Sequence, residues 1–246
     1  MEHSDDRPQI GQMAVDTASL DHDGMELSKI VSELGLQLAG DLPVGVTRRG
    51  WRVLASQNGE ATTLGAPADE DRQRWWVGHI SNGIHDPAPP SVRINPTTLL
   101  RRPSRTERSR GLALRWPDVT RTEPDLDLLA IDIVNEGSAR WHPQGDSFLV
   151  FAAFRQPGGP VPPVYFAYVS GQSPALPLDP GEYARVRVVI DANQWATVQP
   201  GRYEVYAALV DLGPHTTEPL VVDVTAHNIQ LHEPQRPAPG PPAHPW

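Results

Sequence analysis

The side chains that could do chemistry are nine histidines and thirty aspartates and glutamates, in a chain of 246 residues that has no cysteine. Without cysteine, thiol catalysis, disulfide frameworks and Cys-containing zinc sites are excluded. The sequence has no nucleophile elbow of the type Gly-x-Ser-x-Gly, no glycine-rich phosphate loop and no His-Glu-x-x-His zinc motif. We therefore predict no catalytic residue, no metal and no cofactor.

Three places nevertheless bring histidines close to acids in the sequence. His79, His85 and Asp86 are the nearest to a metal cluster, because three nitrogen and oxygen ligands with one water can hold zinc. This group keeps a metal-dependent hydrolase as an alternative function. Two further pairs offer acid–base chemistry: His142 with Asp146, and Asp211 with His215. Ordinary turn residues outnumber catalytic pairs at such positions, so we favour a protein that is not an enzyme.

The net charge of −9 argues against nucleic acids and anionic membranes as partners, because phosphates repel an acidic surface. The N-terminal sequence is acidic and lacks the apolar core of a secretory signal, and no apolar run approaches the roughly 20 residues that span a bilayer. We expect a cytoplasmic protein.

Positive charge is concentrated in six arginines: Arg101, Arg102, Arg105, Arg108, Arg110 and Arg115. They indicate a solvated linker, an anionic partner or a contact with the chain's own acidic N-terminus.

Proline makes up 27 of the 246 residues, and it favours turns and strand edges over long helices. Leu27, Ile30, Val31, Leu34 and Leu38 share one helical stripe, so we expect an amphipathic helix there. The predicted organisation has five parts: a disordered acidic N-terminus (1–24), the helix with a small β unit (25–80), a Pro/Arg-rich linker (81–110), a β-sandwich (111–226) and a Pro-rich disordered tail (227–246).

The small β unit is predicted from two apolar stretches, 50–55 and 74–80, with a turn at Asn58-Gly59 between them. Trp75 and Trp76 lie in the second stretch. We expect one indole in the core and the other at an edge, with an exposed aromatic platform as the alternative.

Seven short strands are predicted in the C-terminal half: 112–116, 126–135, 147–154, 164–169, 183–190, 202–211 and 219–226. The stretch 183–190 alternates apolar and polar residues, which indicates one buried and one solvated face. The stretch 148–154 is apolar throughout, so it should lie in the centre of a sheet or have its outer face covered.

Three turns carry a resemblance to a known family. Gln199-x-Gly201-x-Tyr203-x-Val205 has the spacing of the immunoglobulin Asp-x-Gly-x-Tyr-x-Cys motif, with Gln and Val in place of Asp and Cys. Asn135-x-Gly137-x-x-x-Trp141-x-Pro143 closes the strand 126–135. With Pro180-Gly181-Glu182, these turns resemble bacterial CARDB-type (cell-adhesion-related) Ig-like modules and the Ig-like central domain of selective-autophagy receptors, over about residues 110–226.

The resemblance implies a mostly-β chain with a C-terminal seven-stranded Ig-like sandwich, in which the Tyr203 hydroxyl bonds to the upstream backbone and pins a corner next to Gly201. The Pro-Gly pairs at 180–181 and 200–201 suit type II turns, which need a positive φ at the glycine.

The relatives in that family are non-catalytic adhesion or interaction modules, so we expect a cytoplasmic protein-interaction or scaffold module whose partner is another protein. The predicted anchors are large amphipathic rings: Trp141, Tyr165, Tyr168 and Trp195. The alternative for all four is a place in the core, and for Trp141 we favour the core. A carbohydrate-binding or envelope accessory domain is a further alternative, and the sequence leaves self-association open.

Overall fold

The chain consists of two compact units, Met1–Arg108 and Ser109–Trp246. The computed structural model describes residues 6–81, 89–159 and 174–232. Each unit contains one mixed β-sheet with a few short helices, so the predicted mostly-β class is confirmed. No helix within the three described ranges combines the length and the apolar character that crossing a bilayer requires.

The described residues of the first unit form eight strands: β1 Gln9–Ile10, β2 Met13–Ala14, β3 Gln37–Leu38, β4 Arg52–Gln57, β5 Glu60–Pro67, β6 Arg74–Ser81, β7 Ser91–Ile94 and β8 Leu99–Arg102. Its helices are α1 Thr17–Asp21, α2 Leu27–Glu33 and α3 Arg105–Arg108. The main strand order is β2-β1-β8-β6-β5-β4, and β7 joins β6 to β3, with β3 and β7 parallel. The predicted turn is confirmed: Asn58 and Gly59 both have positive φ, and they join β4 to β5.

Residues 6–24 form short strands and a helix and contribute to a core, which corrects the prediction of disorder for this part of 1–24. Ile10, Val15 and Leu20 are at most 1 % exposed and pack with residues of β4 and β6. These apolar residues are spaced five apart, a spacing that matches neither a helix nor a strand. The apolar spacing therefore predicted no helix or strand in this segment, although the segment supplies part of a core.

The amphipathic helix is shorter than its apolar stripe. It ends at Glu33, because Gly35 adopts a positive φ of 64° and the chain then continues into β3. Leu27 and Ile30 are buried as predicted, whereas Leu34 and Leu38 are 39 % and 42 % exposed.

Residues 89–108 form β7, β8 and α3, which corrects the prediction of a linker for this part of 81–110. Val92 and Ile94 alternate with polar residues and are buried. The prolines in this stretch lie at the ends of the strands, where a missing N–H breaks no ladder. The high proline content of this stretch therefore marks the ends of strands and does not indicate that strands are absent.

The two adjacent tryptophans of β6 are both buried. Trp75 is 0 % and Trp76 is 8 % exposed, and the indole N–H of Trp75 donates to the Arg72 carbonyl at 2.8 Å. The alternative of an exposed aromatic platform is wrong for this pair.

The second unit has six described strands: β9 Leu112–Arg115, β10 Ala130–Asn135, β11 Val150–Arg155, β12 Tyr183–Ile190, β13 Gly201–Leu209 and β14 Leu220–Val224. Its helices are α4 Asp118–Thr122, α5 Ala192–Trp195 and α6 Ala226–His232. The strand order is β14-β13-β11-β12-β10-β9. The predicted strand 164–169 lies outside the described residues. The all-apolar strand β11 is central and buried on both faces, as its composition predicts.

β12 is the strand at which two groups of strands meet. It pairs antiparallel with β10 from Tyr183 to Arg187, and in parallel with β11 from Val188 to Ile190. The six strands thus form one continuous mixed sheet. This layout differs from the two separate sheets expected of the predicted seven-stranded Ig-like sandwich.

The start of the predicted disordered tail is helical. α6 begins after Thr225, whose backbone N–H donates to Asn228 Oδ1 at 3.0 Å while the Asn228 N–H donates back to Thr225 Oγ1 at 3.2 Å. This reciprocal pair is a capping-box arrangement. The prediction of disorder is thereby corrected for residues 227–232, and residues 233–246 lie outside the described part.

Candidate functional site

The predicted anchor residues that the structure describes lie in the core of the second unit. Trp141 is 6 % and Trp195 is 3 % exposed, and Trp141 stacks on Phe148 with ring centroids 5.5 Å apart. Tyr165 and Tyr168 lie outside the described residues. The two indoles therefore present almost no surface to a protein partner, which corrects their assignment as exposed anchors.

Of the predicted histidine–acid groups, the structure describes His79 and the pairs His142 with Asp146 and Asp211 with His215. His79 is an exposed residue of β6, whereas His85 and Asp86 fall outside the described ranges. Asp146 accepts the Gln144 N–H at 2.9 Å, and Asp211 accepts the N–H and the hydroxyl of Ser147 at 3.0 and 2.5 Å. Within the described residues, no three histidine or acidic side chains are grouped so that they could hold a metal ion.

Asn135 organises the turn that closes β10. Its side-chain amide donates to the carbonyls of Ala139 and Leu178, both at 2.9 Å, and its Oδ1 accepts the Gly137 N–H at 3.0 Å. Asn135 is 1 % exposed, and Trp141 bridges to Leu178 on the facing segment. The turn that carries part of the family resemblance is therefore held by one buried amide.

Tyr203 lies in β13 directly after the turn at Pro200, and its hydroxyl accepts the Gln199 N–H at 3.2 Å. This is the backbone contact that the motif implies. Gly201 has a φ of 157°, nearly extended, and is the first residue of β13, so the type II turn predicted for Pro200-Gly201 is wrong. The corresponding prediction for Pro180-Gly181 is confirmed, because Gly181 has a φ of 80° and the Glu182 N–H donates to the Asp179 carbonyl.

Replacing Tyr203 by phenylalanine removes only that hydroxyl, and we expect it to lower the free energy of unfolding by about 1 kcal/mol, the usual net contribution of one hydrogen bond. Urea unfolding of the two proteins measures the difference. Tyr206→Phe is the matched control, since its hydroxyl contacts Arg155 and not the turn. A Tyr203→Phe variant as stable as the wild type would contradict a stabilising role for the corner.

An aromatic row leads from Tyr203 to the surface. Phe154 meets the rings of Tyr203 and Trp195 edge-on, with centroids 5.7 and 4.8 Å away, and Trp195 stacks on His232 of α6 at 4.3 Å. His232 Nε2 lies 2.7 Å from Asp127 Oδ1. The sequence analysis missed this histidine–aspartate pair, because its members are 105 residues apart. The Thr-x-x-Asn capping signal at 225–228 could have indicated the helix that carries His232.

The solvent-facing side of β9, β10 and β12 carries a connected set of side chains, here named the outer strip: Ala113, Arg115, Asp132, Val134, Tyr183 and Arg185. The register places Asp132 directly opposite both arginines, and Val134 directly opposite Ala113 and Tyr183. Charged side chains thus form one row across the three strands, and the apolar and aromatic side chains form the next row.

Ion pairs fix the charged row of the outer strip. Arg185 makes a two-pronged contact with Asp132, Nε to Oδ1 at 2.7 Å and Nη2 to Oδ2 at 2.9 Å. The hydrogen bonds to Asp132 raise the pKa of Arg185 above its ordinary value. Arg115 contacts Glu136 Oε1 at 2.5 Å. Tyr183 is 56 % exposed, the only exposed Phe, Tyr or Trp side chain in the part of the chain that the structure describes, and its ring lies 5.6 Å from the Arg185 guanidinium.

An open groove of about 420 Å³ runs along the outer strip, and α4 contributes Asp118 and Val119 to its wall. Val119 is 64 % exposed. Exposed aromatic, arginine and aliphatic groups side by side are typical of the central part of a protein interface.

The arginine-rich segment of the first unit contacts the chain's own N-terminal segment, one of the alternatives left open above. β8 pairs with β1, Thr106 donates to Asp6 Oδ1 at 2.7 Å, and Arg108 donates to Gln9 Oε1 at 2.5 Å. The adjoining cleft of about 330 Å³ is lined by two arginines and two acidic residues. Its lining therefore favours neither an anion nor a cation.

Comparison of the chain with protein-family models, with curated proteins and with solved structures finds no match. The choice of a functional site therefore depends on geometry alone. The outer strip is the strongest candidate, because its side chains are exposed or half-buried, chemically mixed and held in place by the sheet and by ion pairs.

Proposed function

We propose that the second unit is an Ig-like domain. The strand order supports this: β9, β10 and β12 take the places of strands A, B and E, and β11, β13 and β14 take those of C, F and G. The Tyr203 contact at the start of β13 matches the tyrosine corner at the start of strand F. The parallel contact between β12 and β11 joins the two groups along one edge.

On this domain we propose a non-catalytic function in the cytoplasm: binding another protein through the outer strip. The observation that carries the proposal is Tyr183, an exposed ring held beside an arginine that is itself fixed by Asp132. A side chain that is already ordered loses little conformational entropy on binding, so it contributes more of its contact energy to affinity. The partner is expected to cover Tyr183 and Val134 with an apolar side chain and to contact the arginines with carbonyl or carboxylate oxygens.

Site-specific photocrosslinking in the native host tests this function. A photoreactive phenylalanine analogue is placed at Tyr183 in one strain and at Leu176 in another, because Leu176 is a comparably exposed residue of the same unit, 64 % exposed, outside the outer strip. We expect one discrete crosslinked species from position 183 and none from position 176. In purified components, Tyr183→Ala should weaken binding of the captured protein about tenfold or more, as is usual for a central aromatic anchor.

Equal crosslinking from both positions, or a captured protein that binds the Tyr183→Ala variant as tightly as the wild type, would contradict the proposal. A crosslinked species of twice the mass of the chain would identify a second copy as the partner. Cell fractionation that places the protein outside the cytoplasm would contradict the proposed compartment.

A further inference from the structure

A second cavity of the second unit has a different chemistry from the outer strip. It has a volume of about 200 Å³ and lies where the end of β12 meets α5 and α6. Its apolar lining includes Val188, Ile190 and Trp195, and its polar lining comprises Asp127, Arg187 and His232. An apolar pocket with a few convergent polar groups is the usual form of a small-molecule site.

The apolar side of this pocket is held rigidly. The Gln194 side chain accepts the Phe154 N–H at 2.9 Å and donates to the Ala152 carbonyl at 3.4 Å, so it extends the hydrogen-bond ladder of β11 into α5. This contact fixes the adjacent Trp195 against Phe154. Asp191 caps the start of α5 by accepting the Asn193 N–H at 2.7 Å.

The polar rim is also preorganised. His232 is fixed by its stacking on Trp195 and by its contact with Asp127, and Arg187 donates to the Asp127 backbone carbonyl at 3.2 Å. Arg187 and Arg185 lie on the same face of β12, but only Arg185 has a carboxylate partner within the described residues. Arg187 therefore keeps guanidinium donors for an incoming oxyanion.

From this arrangement we propose that the pocket binds a small carboxylate with an apolar body. The apolar part lies against Val188, Ile190 and Trp195, and the carboxylate accepts hydrogen bonds from Arg187. The volume is that of about seven water molecules at roughly 30 Å³ each, which limits the ligand to a short alkanoate or a single aromatic ring. Asp127 opposes an anion at this rim, but its carboxylate faces His232 at 2.7 Å.

The proposal is independent of the protein-binding function and is tested with benzoate, hexanoate and the neutral analogue benzyl alcohol. Each probe is titrated into the isotope-labelled full chain, and the resonances of the Trp195 indole and the His232 imidazole are followed. We expect both resonances to shift with benzoate and with hexanoate, and benzyl alcohol to bind more weakly.

Arg187→Gln should weaken benzoate binding about fivefold, which corresponds to the upper end of the free energies measured for exposed ion pairs. The affinity of this variant for benzyl alcohol should be unchanged. Arg202→Gln is the matched control, since Arg202 is an exposed arginine of β13 outside the pocket and its loss changes the net charge equally. The proposal is overturned if benzoate leaves both resonances unshifted, if benzyl alcohol binds as tightly as benzoate, or if the two arginine variants bind benzoate equally.

Discussion

Replacing Asn135 by alanine should lower the free energy of unfolding of the second unit by about 3 kcal/mol. The side chain makes three hydrogen bonds to backbone groups while being 1 % exposed, so alanine leaves two carbonyls and one N–H without that partner. At about 1 kcal/mol for each hydrogen bond, the loss of three bonds accounts for this value. The effect should exceed that of Tyr203→Phe, which removes one contact.

Urea unfolding followed through amide resonances of the second unit measures this loss. Asn193→Ala is the control, because Asn193 is an exposed residue of α5 and the same chemical change there should stay within about 0.5 kcal/mol. Asn135→Asp should be at least as damaging as alanine, since a carboxylate cannot donate to the two carbonyls. If the Asn135 and Asn193 variants are equally stable, the amide does not hold the turn.

Local chemistry allowed much of the second unit to be predicted from the sequence. The alternation of 183–190 appears as β12, and the all-apolar run appears as the central strand β11. The turns at Asn135 and Pro180-Gly181 also follow from residue type, because an amide can satisfy several backbone groups and glycine tolerates a positive φ. In each case the residues that specify the structure are neighbours in the sequence.

The errors occurred where packing between distant segments decides the structure. Ile10, Val15 and Leu20 have the spacing of neither a helix nor a strand, and they form a core only because they pack against the sheet. Proline-rich composition favoured a linker over 81–110, although the prolines bracket two short strands. Composition reports the average property of a segment, whereas burial depends on where each apolar side chain points.

The candidate site was harder to predict than the fold for the same reason. Large aromatic rings were predicted to anchor a protein partner, but Trp141 and Trp195 are buried in the core, as large apolar side chains often are. The outer strip depends on the strand register, which places Asp132 between Arg115 and Arg185. Asp132 and Arg185 are 53 residues apart in the sequence. No local pattern contains that information, because register is settled by the pairing of whole strands.

Replacing Trp195 by alanine should have the largest effect on the second unit, a loss of about 3 to 5 kcal/mol in the free energy of unfolding. Trp195 is 3 % exposed and lies between Phe154 and His232, so the substitution leaves a cavity where α5 meets β11 and removes the ring on which α6 rests. The His232 resonance should move toward that of a solvent-exposed histidine, and hydrogen exchange of the α6 amides should become faster.

Trp195→Phe separates the two consequences, because a smaller ring keeps an aromatic contact with both neighbours while it removes less apolar volume. We expect it to be about 2 kcal/mol less destabilising than alanine, with α6 protection largely kept. Leu176→Ala, at a position that is 64 % exposed, should change neither quantity. Full α6 protection in Trp195→Ala would show that Ile229 and the Thr225–Asn228 cap hold the helix without the indole, and would contradict a role of Trp195 in holding α6.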